Sequence, residues 1–496
     1  MNLISATQLY DFVQCPHRVS LDVFGDQRKR DEPNAFVELL WEQGLEHELA
    51  TLTKLAAPTN LRTIEDAAAR QRATLEAMLR GDPLIYGGRL VIDDLVGEPD
   101  LLEIRNECYI PGDIKSGSGF DGDEDDAKLK RHYAYQLAHY VHILERLGRS
   151  DGSHEAFVID RTGGRVQYAL DEPQGIRNLE SWWNAYLVAL AAVRSLTTQP
   201  GSSLAALSAS CKLCHWYSHC KDQLIDSDDL TLVAELGRSK RDALSSELPN
   251  VQALADCDPS VYFDKRKTRF AGIGPDSLVK FHLRAKLLKT KDAKPYLKAT
   301  VNLPVSRREV FFDIEADPMR DVVYLHGFIE REYGQPETAQ FTSFFAEGIK
   351  PSDEALAFGS AWDFLQERVK YSTVYYYSKY ERTAYRKLAD KYPEVCVRSD
   401  VDGLFSQSAM IDLYEIVRSA TEWPTHDQSI KTLAQFANFR WRDTHPSGAA
   451  SIEWFHRYIE QNDAAVKKRI LDYNEDDCLA TGVVVDAIRR MPECGA

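Results

Sequence analysis

The sequence of 496 residues lacks a run of apolar residues long enough to cross a bilayer, which takes about 20 consecutive residues in a helix. Its first residues, Met-Asn-Leu-Ile-Ser-Ala-Thr, do not form a basic region followed by an apolar core, so they indicate no signal peptide. We also find no internal repeat. We therefore expect a cytoplasmic protein that has no membrane partner.

An excess of positive charge is also missing, because the formal net charge is −16. This balance argues against a protein that coats nucleic acid by bulk electrostatics. It leaves local contacts open, since binding of phosphates needs only a local basic track. One such track runs from Lys265 to Lys298, with eleven Lys or Arg residues against two acidic ones.

Cysteine is sparse and its number is odd, with nine residues in the chain. A disulfide framework is therefore not indicated for a protein that we expect in the cytoplasm. Three of the nine lie within ten residues, in Cys211-Lys-Leu-Cys214-His-Trp-Tyr-Ser-His-Cys220. This crowding indicates a metal site.

The length predicts two or three domains, because one compact core rarely extends over so many residues. Residues 1–225 combine helical patterns with short strands, and residues 226–300 look helical and basic. Residues 301–496 begin with strands and end in helices. The spacing of apolar residues predicts helices over 35–49 and 133–144, and strands within 88–104, 107–115, 308–315, 321–330 and 373–378.

The first group of candidate catalytic residues lies in Gly97-Glu-Pro-Asp100 and Gly112-Asp-Ile-Lys115. Hydrolysis of a phosphodiester requires a cation at the phosphoryl oxygen and a deprotonated water. Carboxylates are suitable ligands for a hard cation such as Mg²⁺. Because side chains alternate along a strand, Asp113 and Lys115 should share one face while Ile114 points to the other.

An Asp followed by Asp-x-Lys on the next strand resembles the PD-(D/E)xK core of RecB-family nucleases. Upstream, Gly44-Leu-Glu-His47-Glu resembles the helix that carries the metal-binding histidine of this family. Downstream, Gln136-Leu-Ala-His-Tyr140 matches its Gln-x-x-x-Tyr helix.

This resemblance implies a role for each matched residue. Lys115 would orient or deprotonate the attacking water, and Gln136 and Tyr140 would position the active site or the strand. The metal ligands would be His47, Asp100, Asp113 and the carbonyl of Ile114.

The cysteines extend the resemblance. One cysteine near the start, Cys15, and three after the nuclease core resemble the iron–sulfur staple of helicase–nucleases of recombination and of CRISPR-associated exonucleases. The resemblance implies a structural [4Fe–4S] cluster held by Cys15, Cys211, Cys214 and Cys220. The alternative is tetrahedral zinc, for which His215 and His219 could replace two of the thiolates.

A second acidic group lies in the C-terminal part. Phe311-Phe-Asp313-Ile-Glu315 places two carboxylates on one face of a strand, and Tyr473-Asn-Glu-Asp-Asp477 places a tyrosine and an aspartate one helical turn apart. These segments resemble the first and third motifs of DEDD exonucleases, which share the ribonuclease-H fold. The resemblance implies that the carboxylates hold two cations and that Tyr473 positions the attacking water. The segment Gln428-Ser-Ile-Lys-Thr-Leu-Ala-Gln-Phe also looks like this family.

The middle motif departs from the DEDD pattern, because this chain has Tyr377-Ser-Lys-Tyr380-Glu381 in its place. Glu381 would then stand in for the usual aspartate as a catalytic metal ligand. Asp412 is a weaker acidic candidate that equally fits a plain strand end. A solvated helix face is expected for Asp472, Glu475 and Asp476.

The basic middle part contains Phe270-Ala-Gly272-Ile-Gly274-Pro-Asp-Ser-Leu, which resembles a helix–hairpin–helix element. Backbone N–H groups at such a turn hold a phosphate. The predicted contacts with nucleic acid are Gly272, Gly274, Lys280 and Arg284. The alternative is a solvated linker.

Taken over most of its length, the chain resembles RecB-like nucleases of bacteria with an appended ribonuclease-H-like domain, which are sometimes fused to a superfamily I helicase. We expect an α/β multidomain protein with a restriction-endonuclease-like core and iron–sulfur staple over 1–225, a helical linker over 226–300 and a ribonuclease-H-like exonuclease over 301–496. The expected activity is a Mg²⁺- or Mn²⁺-dependent nuclease with two metal sites, an exonuclease rather than an endonuclease, acting on single-stranded DNA or DNA ends in repair, recombination or defence. A helicase is a possible partner.

Two alternatives stay open. In one, only the C-terminal domain is active, as a 3′–5′ exonuclease on DNA or RNA. In the other, the chain is a nucleic-acid-binding recruitment module with degenerate sites.

Overall fold

The computed structural model describes residues 3–122, 127–173, 179–444 and 446–493; Cys494 lies outside them. The chain divides into two compact units. Unit 1 contains residues 1–205 and 209–220, and unit 2 contains residues 206–208 and 221–496. The basic region 226–300 therefore belongs to unit 2.

Unit 1 mixes helices and short strands. Its helices are α1 (Ala6–Gln14), α2 (Pro16–Phe24), α3 (Ala35–Leu52), α4 (Ala67–Arg80), α5 (Arg131–Arg146) and α6 (Trp182–Leu196), and α7 (Tyr217–Asp226) crosses into unit 2. Its strands are β1 (Ile4–Ser5), β2 (Thr59–Asn60), β3 (Leu84–Tyr86), β4 (Leu90–Ile92), β5 (Leu95–Gly97), β6 (Leu101–Arg105), β7 (Cys108–Ile114), β8 (Phe120–Asp121), β9 (Lys128–Leu129), β10 (Glu155–Ile159) and β11 (Arg165–Ala169).

The main sheet of unit 1 has the strand order β11-β10-β7-β6-β3-β2. Strands β6 and β7 form an antiparallel hairpin in which Leu101 pairs with Gly112. This register brings Asp100, just before β6, beside Asp113 near the end of β7. Strand β7 is buried along most of its length, and α5 packs against it through its apolar face. The site of unit 1 therefore sits on a central strand of the sheet.

Unit 2 contains the remaining elements. Its helices are α8 (Gly237–Leu244), α9 (Val251–Asp256), α10 (Pro275–Lys289), α11 (Pro351–Arg368), α12 (Tyr380–Lys391), α13 (Arg398–Phe405), α14 (Leu413–Ala420), α15 (Ile430–Phe436), α16 (Gly448–Gln461) and α17 (Ala464–Arg489). Its strands are β12 (Phe263–Asp264), β13 (Lys267–Thr268), β14 (Tyr296–Leu297), β15 (Arg308–Asp317), β16 (Val322–Glu332), β17 (Gln340–Phe345), β18 (Ser372–Tyr376), β19 (Met410–Asp412) and β20 (Thr421–Glu422).

The main sheet of unit 2 has the order β17-β16-β15-β18-β19. Strands β15, β16 and β17 pair antiparallel, whereas β18 and β19 run parallel to β15. Alternate residues of β15 face two separate cores: Phe311 packs toward α17, while Phe312 packs toward α11 and α12. Asp313 and Glu315 continue the Phe311 face, so both carboxylates point toward α17.

The sequence predicted these elements correctly at several points. The predicted helix over 133–144 lies inside α5, and the predicted strands over 308–315 and 321–330 form the hairpin of β15 and β16. At the starts of α1, α3 and α14, the side chains of Ser5, Asn34 and Asp412 accept hydrogen bonds from backbone N–H groups, a role in which these residue types are common.

Among the described residues, none of the helices combines the length and the apolar character that crossing a membrane would require.

Candidate active sites

The site of unit 1 is built around Asp113 and Lys115. Lys115 Nζ lies 2.9 Å from Asp113 Oδ2. Between them, Ile114 packs on the opposite side of the sheet with Phe157 and Ile159, as the alternation along a strand predicts. Burial disfavours the ammonium, but the Asp113 and Asp100 carboxylates outweigh that effect and raise the pKa of Lys115. Lys115 is therefore held charged beside the acidic pair.

Asp100 and Asp113 are held together through their backbones. Asp100 Oδ2 accepts a hydrogen bond of 2.8 Å from the Ile114 N–H, and Asp113 Oδ1 accepts one of 3.4 Å from the Asp100 N–H. Burial raises the pKa of Asp100 to about 7, and the charge of Asp113 acts in the same direction. Two carboxylates that repel each other at a buried position favour a bound cation.

His47 lies on α3, which packs against β7. Its Nε2 atom is buried and has no hydrogen-bond partner among the described residues, which suits a metal ligand. The next residue, Glu48, accepts a hydrogen bond of 2.7 Å from the Tyr86 hydroxyl. His47, Asp100 and Asp113 do not form a trio whose ligand atoms all lie within 4.8 Å of one another.

Gln136 and Tyr140 stand one turn apart on α5. Gln136 Nε2 donates to the Tyr140 hydroxyl over 3.1 Å, and that hydroxyl donates to the Glu98 carbonyl over 3.4 Å. A side chain at Gly97 would lie 2.8 Å from the Tyr140 ring, so the glycine lets this helix approach the strand. Tyr140 is thereby fixed against the Gly97-Glu-Pro-Asp100 segment.

Two cavities flank the lysine. One is about 1020 Å³ and the other about 370 Å³, and Thr7, Lys115 and Gln136 line both. The smaller cavity also reaches Asp100 and Asp113. The acidic pair therefore lies at the wall of a cavity.

The site of unit 2 brings together Asp313, Glu315 and Asp477. Their nearest carboxylate oxygens all lie within 4.8 Å of one another, and in the described part of the chain no other group of three metal-ligating residues is as compact. Burial and the charge of Asp477 raise the pKa of Glu315 to about 8. The same two causes raise the pKa of Asp313 well above its usual value. Bound divalent cations would neutralise the repulsion among these three carboxylates.

Three polar groups that the sequence analysis missed orient these carboxylates. Asn474 Nδ2 donates to Asp313 Oδ2 over 2.8 Å, and Trp441 Nε1 donates to Asp477 Oδ1 over 2.7 Å. The Tyr324 hydroxyl lies 3.5 Å from Glu315 Oε2. Asn474 could have been found from its sequence position, because it shares the buried face of α17 with Tyr473 and Asp477.

Tyr473 also has an unexpected partner. Lys431 Nζ, on α15, donates to the Tyr473 hydroxyl over 2.6 Å and to the Pro446 carbonyl over 3.1 Å. The positive charge of Lys431 lowers the pKa of Asp477, against the larger effect of burial. Lys431 lies in the segment that resembles the exonuclease family, but its spacing carries no signal for this contact.

Glu381 lies in the first turn of α12 and is buried, with one carboxylate oxygen that has no hydrogen-bond partner among the described residues. Burial raises the pKa of Glu381 to about 8. Its charge also contributes to the raised pKa of Asp313, although Glu381 lies outside the compact trio. Asp412 caps α14 by accepting hydrogen bonds from the Tyr414 and Glu415 N–H groups, which gives it a structural role.

The expectation of a solvated helix face was wrong for Asp476. Asp476 does not lie on a solvated face: it is buried, and it accepts hydrogen bonds from the backbone and side chain of Arg442. Asp472 and Glu475 pair with the same arginine. The loop that carries Arg442 covers this side of α17, which the helical period alone does not reveal.

The cysteines of the predicted cluster come from three segments. Cys15 lies between α1 and α2, Cys211 and Cys214 lie in and just after a short 3-10 helix, and Cys220 lies in α7. Burial raises the pKa of the Cys214 thiol, and the nearby Cys15 and Cys211 thiols act in the same direction. Two histidines are the alternative zinc ligands. His215 Nε2 lies 2.7 Å from Asp22 Oδ1. The ring centroid of His219 lies 6.1 Å from that of Trp216.

The predicted nucleic-acid contacts differ in exposure. Gly272 has a φ of +72°, and Gly274 stands at the start of α10 with open space beside it. Lys280 Nζ lies 2.7 Å from Glu235 Oε2. Arg284 is buried, and its guanidinium donates to Glu422 and to the Ala234 carbonyl. Arg284 therefore supports the fold of unit 2 and is not exposed to a phosphate.

Comparison with known families finds a nuclease superfamily for each of the two parts of the chain. Residues 17–221 match the family model of the PD-(D/E)XK nuclease superfamily, and residues 310–489 match that of the RNase_H superfamily. The chain thus carries a nuclease-type domain of each superfamily, and both classes act on nucleic acid with divalent metals. A comparison with curated proteins found no match.

Proposed function

We propose that the chain is a Mg²⁺- or Mn²⁺-dependent DNA nuclease with two active sites. The observation that carries this proposal is the set of Asp100, Asp113 and Lys115, in which a half-buried and a buried carboxylate stand with a charged lysine beside a cavity. We propose single-stranded DNA or DNA ends as the substrate, exonucleolytic cleavage as the mode, and a role in repair, recombination or defence, with a helicase as a possible partner.

In the RecB-like site of unit 1, the metal ligands would be His47, Asp100, Asp113 and the Ile114 carbonyl. A divalent cation bound there supplies charge at the phosphoryl oxygen and lowers the pKa of water. Lys115 holds the attacking water through its charged amine and stabilises the negative charge that develops on the phosphate. Gln136 and Tyr140 keep the strand against Asp100, since Tyr140 is anchored to the Glu98 carbonyl.

In the site of unit 2, Asp313, Glu315, Glu381 and Asp477 would hold two cations. Tyr473 positions the attacking water, and Lys431 fixes the Tyr473 hydroxyl in place. Glu381 would substitute for the usual aspartate from the first turn of α12, and its charge acts on Asp313, which supports this role.

We propose two further elements that serve these sites. A structural [4Fe–4S] cluster on Cys15, Cys211, Cys214 and Cys220 would join the two ends of the nuclease domain, with zinc as the alternative. In the linker over 226–300, the turn at Gly272 and Gly274 would contact the phosphate backbone. Lys280, which is half-buried and pairs with Glu235, would contribute a second contact.

Cleavage of end-labelled single-stranded DNA in Mn²⁺ tests the two sites separately. We compare the wild type with Asp113→Ala, Asp313→Ala and the double variant. Each single variant should retain the cleavage of the other site, and the double variant should be inactive. If the wild type and both single variants all leave the strand intact, the chain is a recruitment module and the enzyme proposal fails.

One observation favours a second candidate function. The trio of unit 2 is compact enough to hold a cation, whereas His47, Asp100 and Asp113 are more widely spaced. In this candidate, only the ribonuclease-H-like site is active, as a 3′–5′ exonuclease on DNA or RNA. This candidate is supported if Asp313→Ala abolishes cleavage while Asp113→Ala cleaves as well as the wild type.

A further inference from the structure

The smaller cavity beside the site of unit 1 has a basic wall that the proposed chemistry does not use. This cavity of about 370 Å³ is lined by Asp100, Asp113 and Lys115, and also by Arg62, Arg89 and Glu98. Neither arginine belongs to the motifs that the sequence singled out. The two arginines differ in whether their guanidinium groups are already paired with a carboxylate.

Arg89 is already engaged. It forms an ion pair with Glu98, and Arg70 lies 2.7 Å from the same carboxylate. Arg62 is exposed and has no carboxylate within ion-pair distance in the part of the chain that the structure describes. Its guanidinium is therefore available at the cavity wall, whereas that of Arg89 is held by the protein.

The backbone of Arg62 is fixed relative to Asp100. The preceding residue, Leu61, is buried and donates its N–H to the Tyr86 carbonyl over 2.9 Å. Gly87, with a φ of +68°, lies so close that a Cβ atom there would be 2.8 Å from the Cβ of Arg62. The Gly87 N–H donates to the Asp100 carbonyl over 2.9 Å. The end of β3, at Tyr86 and the adjacent Gly87, therefore fixes the backbone positions of both Arg62 and Asp100.

We propose that Arg62 binds the phosphate adjacent to the scissile bond, on the side of the smaller cavity, and so sets the affinity for the strand. This inference rests on the proposed nuclease function of unit 1. A guanidinium suits the role because it recognises a phosphate with two parallel hydrogen bonds. The larger cavity shares Lys115 with the smaller one, so a strand that passes from the larger cavity across Lys115 brings its next phosphate to Arg62.

The test uses the full chain with Asp313→Ala, so that cleavage reports on unit 1. Arg62→Gln should raise KM for single-stranded DNA about tenfold or more, as expected for a lost charged hydrogen bond, and change kcat less than about threefold. Arg62→Lys should recover part of the affinity, because the charge remains. The matched control is Arg72→Gln, an exposed arginine on α4 that does not line the cavity, which should leave KM unchanged.

A binding measurement separates a phosphate contact from a structural role. The slope of log Kd against log salt, measured for the same strand in Ca²⁺, should be smaller by about one for Arg62→Gln than for Arg72→Gln. Equal KM values and equal salt slopes for these two variants would overturn the inference, as would a loss confined to kcat. If the Asp313→Ala protein does not cleave at all, the proposed activity of unit 1 fails, and the salt slopes still decide whether Arg62 contacts phosphate.

Discussion

At the scale of single residues, the site of unit 2 depends on a side chain that is not itself an acid. Asn474 donates to Asp313 from the inner face of α17. It fits only because residue 327, on β16, has no side chain: a Cβ atom there would overlap with Asn474 Oδ1 and lie 3.1 Å from the Phe341 ring. Gly327 therefore contributes to the site by leaving space for the side chain of Asn474.

This pair makes a prediction in an Asp113→Ala background, where cleavage reports on unit 2. Asn474→Ala should lower kcat about 10- to 100-fold, as for other residues that orient metal ligands. Gly327→Ala should cause a loss of similar size, because it displaces Asn474.

The double variant is the decisive measurement. It should be no worse than Asn474→Ala alone, since the atoms that clash have been removed, and a double-mutant cycle on kcat checks this. Gly359→Ala, where a Cβ atom would meet only Val395 at 3.8 Å, is the matched control and should leave kcat unchanged. Additive losses would contradict the proposed coupling.

At the scale of elements, β15 carries acidic residues at the site and a buried ion-pair network near its start. Its acidic residues Asp313 and Glu315 face the site, while Glu309 near its start is fully buried among arginines. Arg331 on β16 donates to Glu309 over 2.9 Å, and Arg489 on α17 donates to its other oxygen. Arg331 also pairs with Asp486 on α17. This network fixes α17, which carries Asp477, against the strand that carries Asp313.

Glu309→Gln should therefore destabilise unit 2 by about 3 kcal/mol, because it leaves the buried Arg331 and the half-buried Arg489 without their shared negative partner. A thermal melt followed by circular dichroism should show a lower midpoint for the transition of unit 2. Glu367→Gln removes the exposed pair with Lys370 and should leave the midpoint unchanged. Equal midpoints for the two variants would show that the network contributes no stability.

At the scale of the whole molecule, the chain joins two nuclease-type domains, and only the first is proposed to depend on a cysteine cluster. Cys15 and the segment over 211–220 belong to unit 1, and Ser210 Oγ lies 3.5 Å from the Gln14 carbonyl. The two ends of the unit 1 sequence are thus adjacent before any metal is considered. A metal cluster on the four cysteines would stabilise this contact between the two ends of the unit 1 sequence.

Anaerobically purified protein is therefore expected to be brown and to contain about four iron atoms per chain. Cys15→Ser should lose the colour and the Asp113-dependent cleavage, while the Asp313-dependent cleavage remains. Cys257→Ser, outside the four cysteines, is the control and should keep the colour. A colourless wild type with one zinc per chain would replace the iron–sulfur assignment by zinc.

The sequence by itself determined the features that follow from local periodicity and from residue type. Alternation along a strand was enough to place Asp113 with Lys115 and Asp313 with Glu315, and helical spacing placed Tyr473 one turn from Asp477. The same reasoning predicted the two strands that pair as the hairpin of β15 and β16. These relations hold because they depend only on residues near one another in the chain.

Only the tertiary structure decided which distant residues complete the sites. Lys431 and Trp441 reach their partners through packing between elements that are far apart in sequence, and no period encodes such a contact. The same packing buried Asp476 and Arg284, which a local pattern had left exposed. Burial and pairing depend on what folds over a residue, so the chain order alone could name the acids but not the groups that orient them.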